Sequence, residues 1–145
     1  MRGQRAVVTT AGQVELESFD PPQPQPGQVL LRALTSLISP GTERAFFLGL
    51  DNTNANYPLY PGYSFVGEVE ACGAGVTKLR VGDRVVCPAR HASQALVDAD
   101  ICLKAPASLP GDEAAFFNLL AIAMQGLRKA RIELGEPVAI LGAGL

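Results

Sequence analysis

The alternation of apolar and polar residues predicts a series of short β-strands over most of the chain. Residues 5–10 suit a first strand, and residues 14–17, which follow the turn at Ala11–Gln13, alternate cleanly, so the pair predicts a β-hairpin. Small or apolar residues also alternate with Gly67, Glu68 and Glu70, as on a half-buried strand. The predicted strands comprise residues 5–10, 14–17, 28–38, 65–71, 84–87, 91–97 and 101–104.

Glycines and prolines separate these strands. Four prolines between Pro21 and Pro26 stiffen a connecting loop, because proline lacks a backbone donor and fixes φ. Gly73 and Gly75 supply one turn, and Gly82 with Asp83 supplies another. Short strands joined by glycine turns predict a small antiparallel barrel.

Two helices are predicted. Ser39–Pro40 followed by Glu43 suits a helix start, so residues 44–48 are expected to form one short helix. Residues 112–128 predict the one long helix, with acidic residues at its N-terminus and basic residues near its C-terminus. Its small apolar face suits close packing on a sheet and comprises Ala115, Leu119, Ile122, Ala123 and Gly126.

The last residues predict the beginning of a second structural unit. Residues 138–141 are all apolar, as in a buried parallel strand, and Gly142-Ala143-Gly144 follows at once. A buried strand that runs into Gly-x-Gly is typical of dinucleotide-binding units. Glycines there let the backbone approach a pyrophosphate at a helix N-terminus. A parallel strand without a neighbour would be exposed, so the chain is expected to be a fragment of a longer protein.

Composition excludes several classes of function. The chain has 145 residues, of which 48% are hydrophobic and 18% charged, with a formal net charge of −2. Nothing in it indicates nucleic-acid binding, a signal peptide or a membrane span, and we expect a cytoplasmic protein. Three cysteines, Cys72, Cys87 and Cys102, lie 15 residues apart and form no Cys-x-x-Cys pair. Reduced, partly buried thiols are therefore expected.

The central stretch carries a family resemblance. Its segments PGYSFVGEV, GAGV and VGDRVV resemble, in this order, the GroES-like domain of medium-chain dehydrogenases/reductases. The resemblance implies a mainly β fold with α elements: a partly open β-barrel with short helices, ending at the first strand of a truncated Rossmann domain. The implied domains are residues 1–134 and residues 135–145. The combination SPGTE with PGY resembles the branch that includes bacteriochlorophyllide dehydrogenases.

The resemblance also implies a function. The full-length protein is expected to be an NAD(P)-dependent oxidoreductase that transfers hydride to or from a carbonyl, an alcohol or an activated alkene. NAD or NADP would be bound mostly by the missing domain, with Gly142 and Gly144 contributing here. A small-molecule substrate and a homo-oligomer assembled through the missing domain are implied as partners. The alternatives are a zinc-dependent alcohol or polyol dehydrogenase with unusual ligands, and a non-catalytic binding module.

The family's zinc-ligand positions carry other residues here. Where zinc-dependent members have a Cys, this chain has Ser39 or Pro40 in ISPGTE; where they have the His of PGHE, it has Tyr63 in PGYS. Neither Ser nor Tyr is a usual zinc ligand. The lobe with four clustered cysteines is also missing after VGDRVV. We therefore expect no bound zinc.

Five residues are candidate catalytic residues in place of zinc. Tyr63 is either a packed strand aromatic or a hydrogen-bond donor to a carbonyl, and Glu43 either a helix N-terminal charge or an orienting group. Ser39 and Thr42 can orient a substrate. His91, the only histidine, is either exposed and inert or a proton shuttle. Ile122 stands where relatives often carry a Thr that touches the nicotinamide, so the usual hydroxyl relay is not expected.

Overall fold

Strands dominate the part of the chain that the computed structural model describes, residues 2–133 and 135–142. A hairpin comes first, made of β1 (Gly3–Thr10) and β2 (Gln13–Phe19). The elements that follow are β3 (Gln28–Ser36), α1 (Pro40–Leu48), β4 (Phe65–Cys72), β5 (Arg84–Cys87), β6 (Gln94–Asp98), a 3₁₀ turn (Ala99–Ile101), β7 (Leu103–Lys104), α2 (Gly111–Ala114) and α3 (Phe117–Ala130).

Five strands form one antiparallel sheet in the order β6-β3-β4-β5-β7, and β1 pairs with β2 in a separate two-stranded sheet. Neither sheet closes on itself. The mainly β fold with short helices that the sequence predicts is confirmed, with open sheets in place of a closed barrel. Most predicted strands agree with the structure, although 91–97 is displaced to β6 and 101–104 shortens to β7.

Backbone hydrogen bonds join the hairpin to the larger sheet. The Val8 N–H donates to the Leu59 carbonyl at 2.8 Å, and the Leu59 N–H donates back to the Val8 carbonyl at 2.9 Å. Further along β1, the Ala6 N–H donates to the carbonyl of His91 at 2.9 Å. The strand β1 therefore holds two loops of the larger sheet, one before β4 and one before β6.

Apolar side chains bury both faces of the central strand β4. Phe65 and Val69 lie in the main core with residues of β3 and β5, while Val66 packs on the other face against Val86. The second cluster also contains Ala114 and Ala115, at the end of α2. The adjacent apolar residues Phe65 and Val66 thus point into two different cores, and the short helix α2 covers one of them.

The prediction of one continuous helix over residues 112–128 is wrong. The chain forms α2, then a break at Ala115–Phe116, then α3. Ser64 is 1% exposed and its hydroxyl donates to the Ala115 carbonyl at 2.5 Å, while the Phe116 N–H bonds to Glu113, three residues back. The Ser64 hydroxyl thus provides a hydrogen-bond partner for a carbonyl at the C-terminal end of α2, where carbonyls lack partners within the helix.

The predicted packing of the small apolar face on a sheet is observed only at Ala115, which packs against Val66 of β4 and Val86 of β5. Among the described residues α3 itself has no buried side chain, and Ile122 is 58% exposed. Helical periodicity identifies an apolar face but does not supply the surface that covers it.

The predicted strand at 138–141 is absent. These residues adopt no regular structure, and Leu141 is 98% exposed. A strand needs a neighbour for its backbone hydrogen bonds, and no described strand lies beside this stretch. Gly142 has a positive φ of 86°, and Gly144 lies outside the described residues.

Candidate active site

The start of α1 places a carboxylate where it can serve two partners. Ser39 is the N-cap, with an extended backbone, and Pro40 is pre-organised for the first helical turn. The Ser39 N–H donates to Oε1 of Glu43 at 2.8 Å, so the carboxylate satisfies the backbone donor of the N-cap residue. Glu43 therefore has one of its two predicted roles, that of a charged residue at the N-terminus of a helix.

The other carboxylate oxygen of Glu43 holds the only histidine. Nε2 of His91 lies 2.7 Å from Oε2 of Glu43, and Nδ1 lies 2.8 Å from the hydroxyl of Ser36. Both side chains are largely buried, with 14% of His91 and 11% of Glu43 exposed. Of the two alternatives for His91, the exposed position is therefore wrong.

The backbone explains why this histidine is held. The His91 N–H donates to the Pro61 carbonyl at 2.9 Å, and its own carbonyl accepts from Ala6 on β1. Gly62, beside Pro61, has a φ of 103° and approaches the His91 backbone so closely that a Cβ there would lie 2.5 Å from the His91 nitrogen. Only glycine permits this conformation and this approach.

The geometry assigns the ring protons. A carboxylate only accepts hydrogen bonds, so Nε2 of His91 carries a proton and donates to Glu43. In the neutral ring Nδ1 is then an acceptor, and the Ser36 hydroxyl donates to it. This arrangement lets Nδ1 take up a proton while Glu43 stabilises the charge that forms, which is the logic of a hydroxyl–imidazole–carboxylate relay.

Two clefts meet at Glu43. The larger, of about 370 Å³, is lined by Glu43, His91 and mainly apolar residues of β1, α1 and the loop before β4. The smaller, of about 230 Å³, is lined by Glu43, Thr42, Tyr63 and Arg90 among others. Such a concave surface with a few convergent polar groups is the usual setting of a binding or catalytic site.

The structure brings most of the candidate residues together. Glu43 and His91 are in contact, Ser39 bonds to Glu43 through its backbone, and Thr42 and Tyr63 line the smaller cleft. The side chain of Asn118 anchors Tyr63 by donating to its carbonyl at 3.0 Å. Gly142 stands apart: its chain neighbours aside, no atom of the described residues lies within 4 Å of the position that a Cβ would take.

Sequence reasoning missed Ser36. It lies at the C-terminal end of β3, 55 residues before His91, and its hydroxyl bonds to the ring. The available signal was its position, since it is a polar residue at the end of the longest predicted strand and just before ISPGTE. Nothing in the local sequence indicates its partner.

Metal ligands do not converge in the described part of the chain. Among residues 2–133 and 135–142, no three His, Cys, Asp or Glu side chains form a group that could hold a metal ion. Cys87 and Cys102 are free thiols in the main core, and His91 is bonded to Ser36 and Glu43. This donor set does not fit a zinc centre.

Comparison with known proteins first identifies the fold class. Quinone oxidoreductase of Escherichia coli, solved in complex with NADPH, aligns with a TM-score of 0.74 and 23% identity over 88% of this chain and 41% of its own. Residues 25–126 match the family model of the alcohol dehydrogenase GroES-like domain. The chain belongs to this family, and the predicted resemblance to medium-chain dehydrogenases/reductases is confirmed.

Two curated relatives are dehydrogenases. (R,R)-butanediol dehydrogenase of Bacillus subtilis is 26% identical over 90% of this chain and 48% of its own length. The 2-desacetyl-2-hydroxyethyl bacteriochlorophyllide A dehydrogenase of Rhodobacter capsulatus is 35% identical over 83% of this chain and 42% of its own length. The chain therefore spans about half the length of the curated relatives it matches. No described helix has both the length and the hydropathy needed to cross a membrane.

Proposed function

We propose that this chain supplies the substrate-side domain of a zinc-free, NAD(P)-dependent oxidoreductase. The reaction is hydride transfer to or from a carbonyl, an alcohol or an activated alkene on a small molecule. The observation that carries the proposal is the His91 ring, held between Glu43 and Ser36 at the wall of a cleft. Membership of a family with dehydrogenase relatives supports it.

The residues of this chain manage the proton. Oxidation of an alcohol releases a hydride from carbon and a proton from oxygen. The proton passes to Nδ1 of His91, with the Ser36 hydroxyl as the connecting group, and Glu43 stabilises the imidazolium. Tyr63 donates a hydrogen bond to the reacting oxygen, and Thr42 and Ser39 orient the substrate. Reduction runs the same steps backwards.

The nicotinamide cofactor accepts or supplies the hydride when bound. In this chain Gly142 and Gly144 are proposed to contact it. Gly142 fits such a role because its φ of 86° and the empty space around it leave its backbone free to approach a phosphate. The preference between NAD and NADP is decided by residues outside this chain.

Independence from zinc rests on the donor set. Tyr63 stands at one of the family's ligand positions and Ser39 or Pro40 at the other, and the described His, Cys, Asp and Glu side chains do not converge. The full-length protein, purified without added metal, should contain far less than one zinc per chain by mass spectrometry and keep its activity in chelator. Zinc near one per chain, with activity lost on chelation and restored by zinc, would establish the zinc-dependent alternative.

The role of the carboxylate–imidazole pair is tested in the full-length protein. Glu43→Gln keeps the shape of the side chain but cannot stabilise an imidazolium, so kcat/KM should fall by about 10²-fold. Glu68→Gln, on a half-exposed ion pair with Arg32, is the matched control and should have little effect. Equal rates in both variants would contradict the mechanism. Absence of dehydrogenase activity in the wild-type protein would favour the non-catalytic binding module.

We also propose a cellular compartment and an oligomeric state for the protein. Cys72, Cys87 and Cys102 are all free thiols in the structure, which suits the reducing cytoplasm. We further propose a homo-oligomer assembled through the part of the family fold that lies outside this chain. Light scattering on the full-length protein and on this chain alone would test it, since only the full-length protein should associate.

A further inference from the structure

The larger cleft beside Glu43 and His91 is apolar over most of its wall. Eight of its eleven lining residues are aliphatic, proline or aromatic, contributed by β1, β2, α1 and the segments around them. Val8, Ile38, Phe47 and Leu59 form its walls. Its volume of about 370 Å³ lies at the lower end of the range for small-molecule pockets.

Three polar side chains line this cleft, those of Glu43, His91 and Arg44, and Arg44 is exposed to solvent. Glu43 and His91 bond to each other, and Glu43 also accepts from the Ser39 backbone. The backbone N–H and C=O of Val8 and Leu59 bond to each other across the cleft wall. A ligand with several hydroxyl groups would give up its hydrogen bonds to water here and find few partners, which is costly.

We infer that the substrate carries an apolar body, a ring or a branched hydrocarbon, attached to a single reacting alcohol or carbonyl group. The apolar body occupies the larger cleft, and the reacting oxygen lies at the Glu43–His91 end. This inference rests on the proposed function, of which it specifies the substrate class. A polyol is disfavoured, although one curated relative acts on a butanediol.

The test compares cyclohexylmethanol with 2,3-butanediol as substrates of the full-length protein. We expect kcat/KM to be at least about 10²-fold higher for cyclohexylmethanol, since hydrophobic pockets discriminate about tenfold or more for each methylene group. Leu59→Asn should reduce this ratio at least about tenfold. Leu103→Asn is the matched control because Leu103 is exposed and lines none of the clefts at Glu43.

Calorimetry with cyclohexylmethanol separates this inference from the proposed function. Binding that is weakened by Leu59→Asn and retained by Leu103→Asn supports the apolar site even if no turnover is found, in which case the proposed function fails alone. Efficient oxidation of 2,3-butanediol, with no preference for cyclohexylmethanol, overturns the inference and leaves the proposed function standing. If cyclohexylmethanol is neither bound nor oxidised, the inference is overturned.

A second inference concerns two buried cysteines and rests on the strand register. Val85 pairs with Lys104 and Val86 with Leu103, so the next residues in this antiparallel ladder, Cys87 and Cys102, lie opposite each other. Cys102 has extended backbone angles, and both thiols belong to the main core cluster. A hydrogen bond with the Cys102 thiol, together with burial, raises the pKa of Cys87.

The hydrogen-bond pattern indicates the type of pair. The Ala105 N–H donates to the Arg84 carbonyl, so Arg84 and Ala105 form a hydrogen-bonded pair. Hydrogen-bonded and non-hydrogen-bonded pairs alternate along an antiparallel ladder, which makes Cys87–Cys102 a non-hydrogen-bonded pair. Consistent with this, the Cys102 N–H donates to Ala99 and the Cys87 carbonyl accepts from Ala89. Such pairs have Cα atoms about 4.5 Å apart, within the range that a disulfide spans.

We propose that Cys87 and Cys102 form a reversible disulfide under oxidising conditions. A low-molecular-weight disulfide is the oxidant: one thiolate attacks it and releases one thiol, and the second cysteine then displaces the other, giving one protein disulfide and two small thiols. Access comes from β7, which has two residues and lies at the sheet edge, where strands open most easily.

The experiment incubates the full-length protein with oxidised glutathione, blocks free thiols in denaturant and digests with trypsin. Cleavage after Arg84, Arg90 and Lys104 places the two cysteines in peptides 85–90 and 91–104. We expect these peptides to be linked, two hydrogens lighter than their sum, and separated by reductant. The link should survive Cys72→Ser and disappear in Cys87→Ser. Fully blocked Cys87 and Cys102, or glutathione adducts on them without a link, would overturn the proposal.

Discussion

Single side chains decide the chemistry of the candidate site. Glu43 accepts one hydrogen bond from the helix N-cap and one from His91, so a residue of the first helical turn also fixes the imidazole. Tyr63 lines the smaller cleft, which Glu43 also lines, and within the described part of the chain its side chain forms no hydrogen bond with His91 or Glu43. The contributions of Tyr63 and of the His91–Glu43 pair are therefore separable by substitution.

Tyr63→Phe removes one hydroxyl and leaves the aromatic ring. If Tyr63 donates a hydrogen bond to the reacting oxygen, turnover of the full-length enzyme should fall by about 10²-fold, while thermal stability changes little. Steady-state kinetics and thermal unfolding of the same samples measure both effects. Tyr60→Phe is a suitable comparison, because Tyr60 packs against Arg5 and does not line either cleft at Glu43. An unchanged turnover would assign Tyr63 a packing role only.

At the scale of elements, two close contacts join loops and short strands of the larger sheet. Gly62 lies against the backbone of His91, and β7 is tied to the turn before β5 by Lys104, whose ammonium lies 2.7 Å from Asp83. Neither contact belongs to a long regular strand or helix. Each is therefore open to a substitution that leaves the main core intact.

Gly62→Ala should destabilise the protein more than Gly82→Ala. Both glycines have a positive φ, 103° and 88°, so alanine is strained at either position by about 1–2 kcal/mol. At Gly82 a Cβ meets no atom within 4 Å, whereas at Gly62 it would lie 2.5 Å from the His91 nitrogen. Urea unfolding of both variants measures the difference. Equal losses would show that the loop around His91 moves aside without cost.

The ion pair of Asp83 predicts a dependence of stability on pH. A hydrogen bond from Lys104, and another from the Arg80 backbone, hold the pKa of Asp83 below its usual value. The carboxylate therefore stabilises the fold above the unfolded pKa of about 4, and this contribution is lost as pH falls through the lower folded pKa. The urea midpoint of unfolding should fall less steeply between about pH 5 and about pH 2 in Asp83→Asn and in Lys104→Met than in the wild-type protein. An unchanged profile in either variant would contradict this.

At the scale of the whole molecule, packing is uneven. The two β-sheets surround buried clusters, whereas α3 and residues 138–141 expose large apolar side chains. The two clefts and the His91–Glu43 pair lie on the well-packed part. The glycine that would contact a dinucleotide lies on the exposed part.

This division predicts that residues 1–145 alone bind neither NADH nor NADPH tightly. A pyrophosphate needs several backbone N–H groups converging at a helix N-terminus, and no described atom lies within 4 Å of the Cβ position of Gly142. Calorimetric titration of this chain should detect no binding at micromolar concentrations, and titration of the full-length protein is the positive control. Micromolar binding to the isolated chain would contradict the prediction.

Local patterns were enough for much of this structure. Alternation along Phe65–Cys72 and the flanking glycine turns predicted the central strand, because a half-buried strand must place every second side chain in the core. Ser39–Pro40 and Glu43 likewise predicted a helix start from capping chemistry. These features depend on residues that are neighbours in sequence, so the sequence by itself determined them.

Tertiary structure alone decided the rest. His91 meets Glu43 across 48 residues and Ser36 across 55, through a loop held by β1, so no local pattern distinguishes the buried histidine from an exposed one. At the break between α2 and α3, the Ala115 carbonyl accepts a hydrogen bond from Ser64, 51 residues earlier. Residues 138–141 have the apolar sequence of a strand and no described neighbour to pair with. Contacts of this kind exist only once distant segments pack together, because their energy comes from partners that the local sequence does not contain.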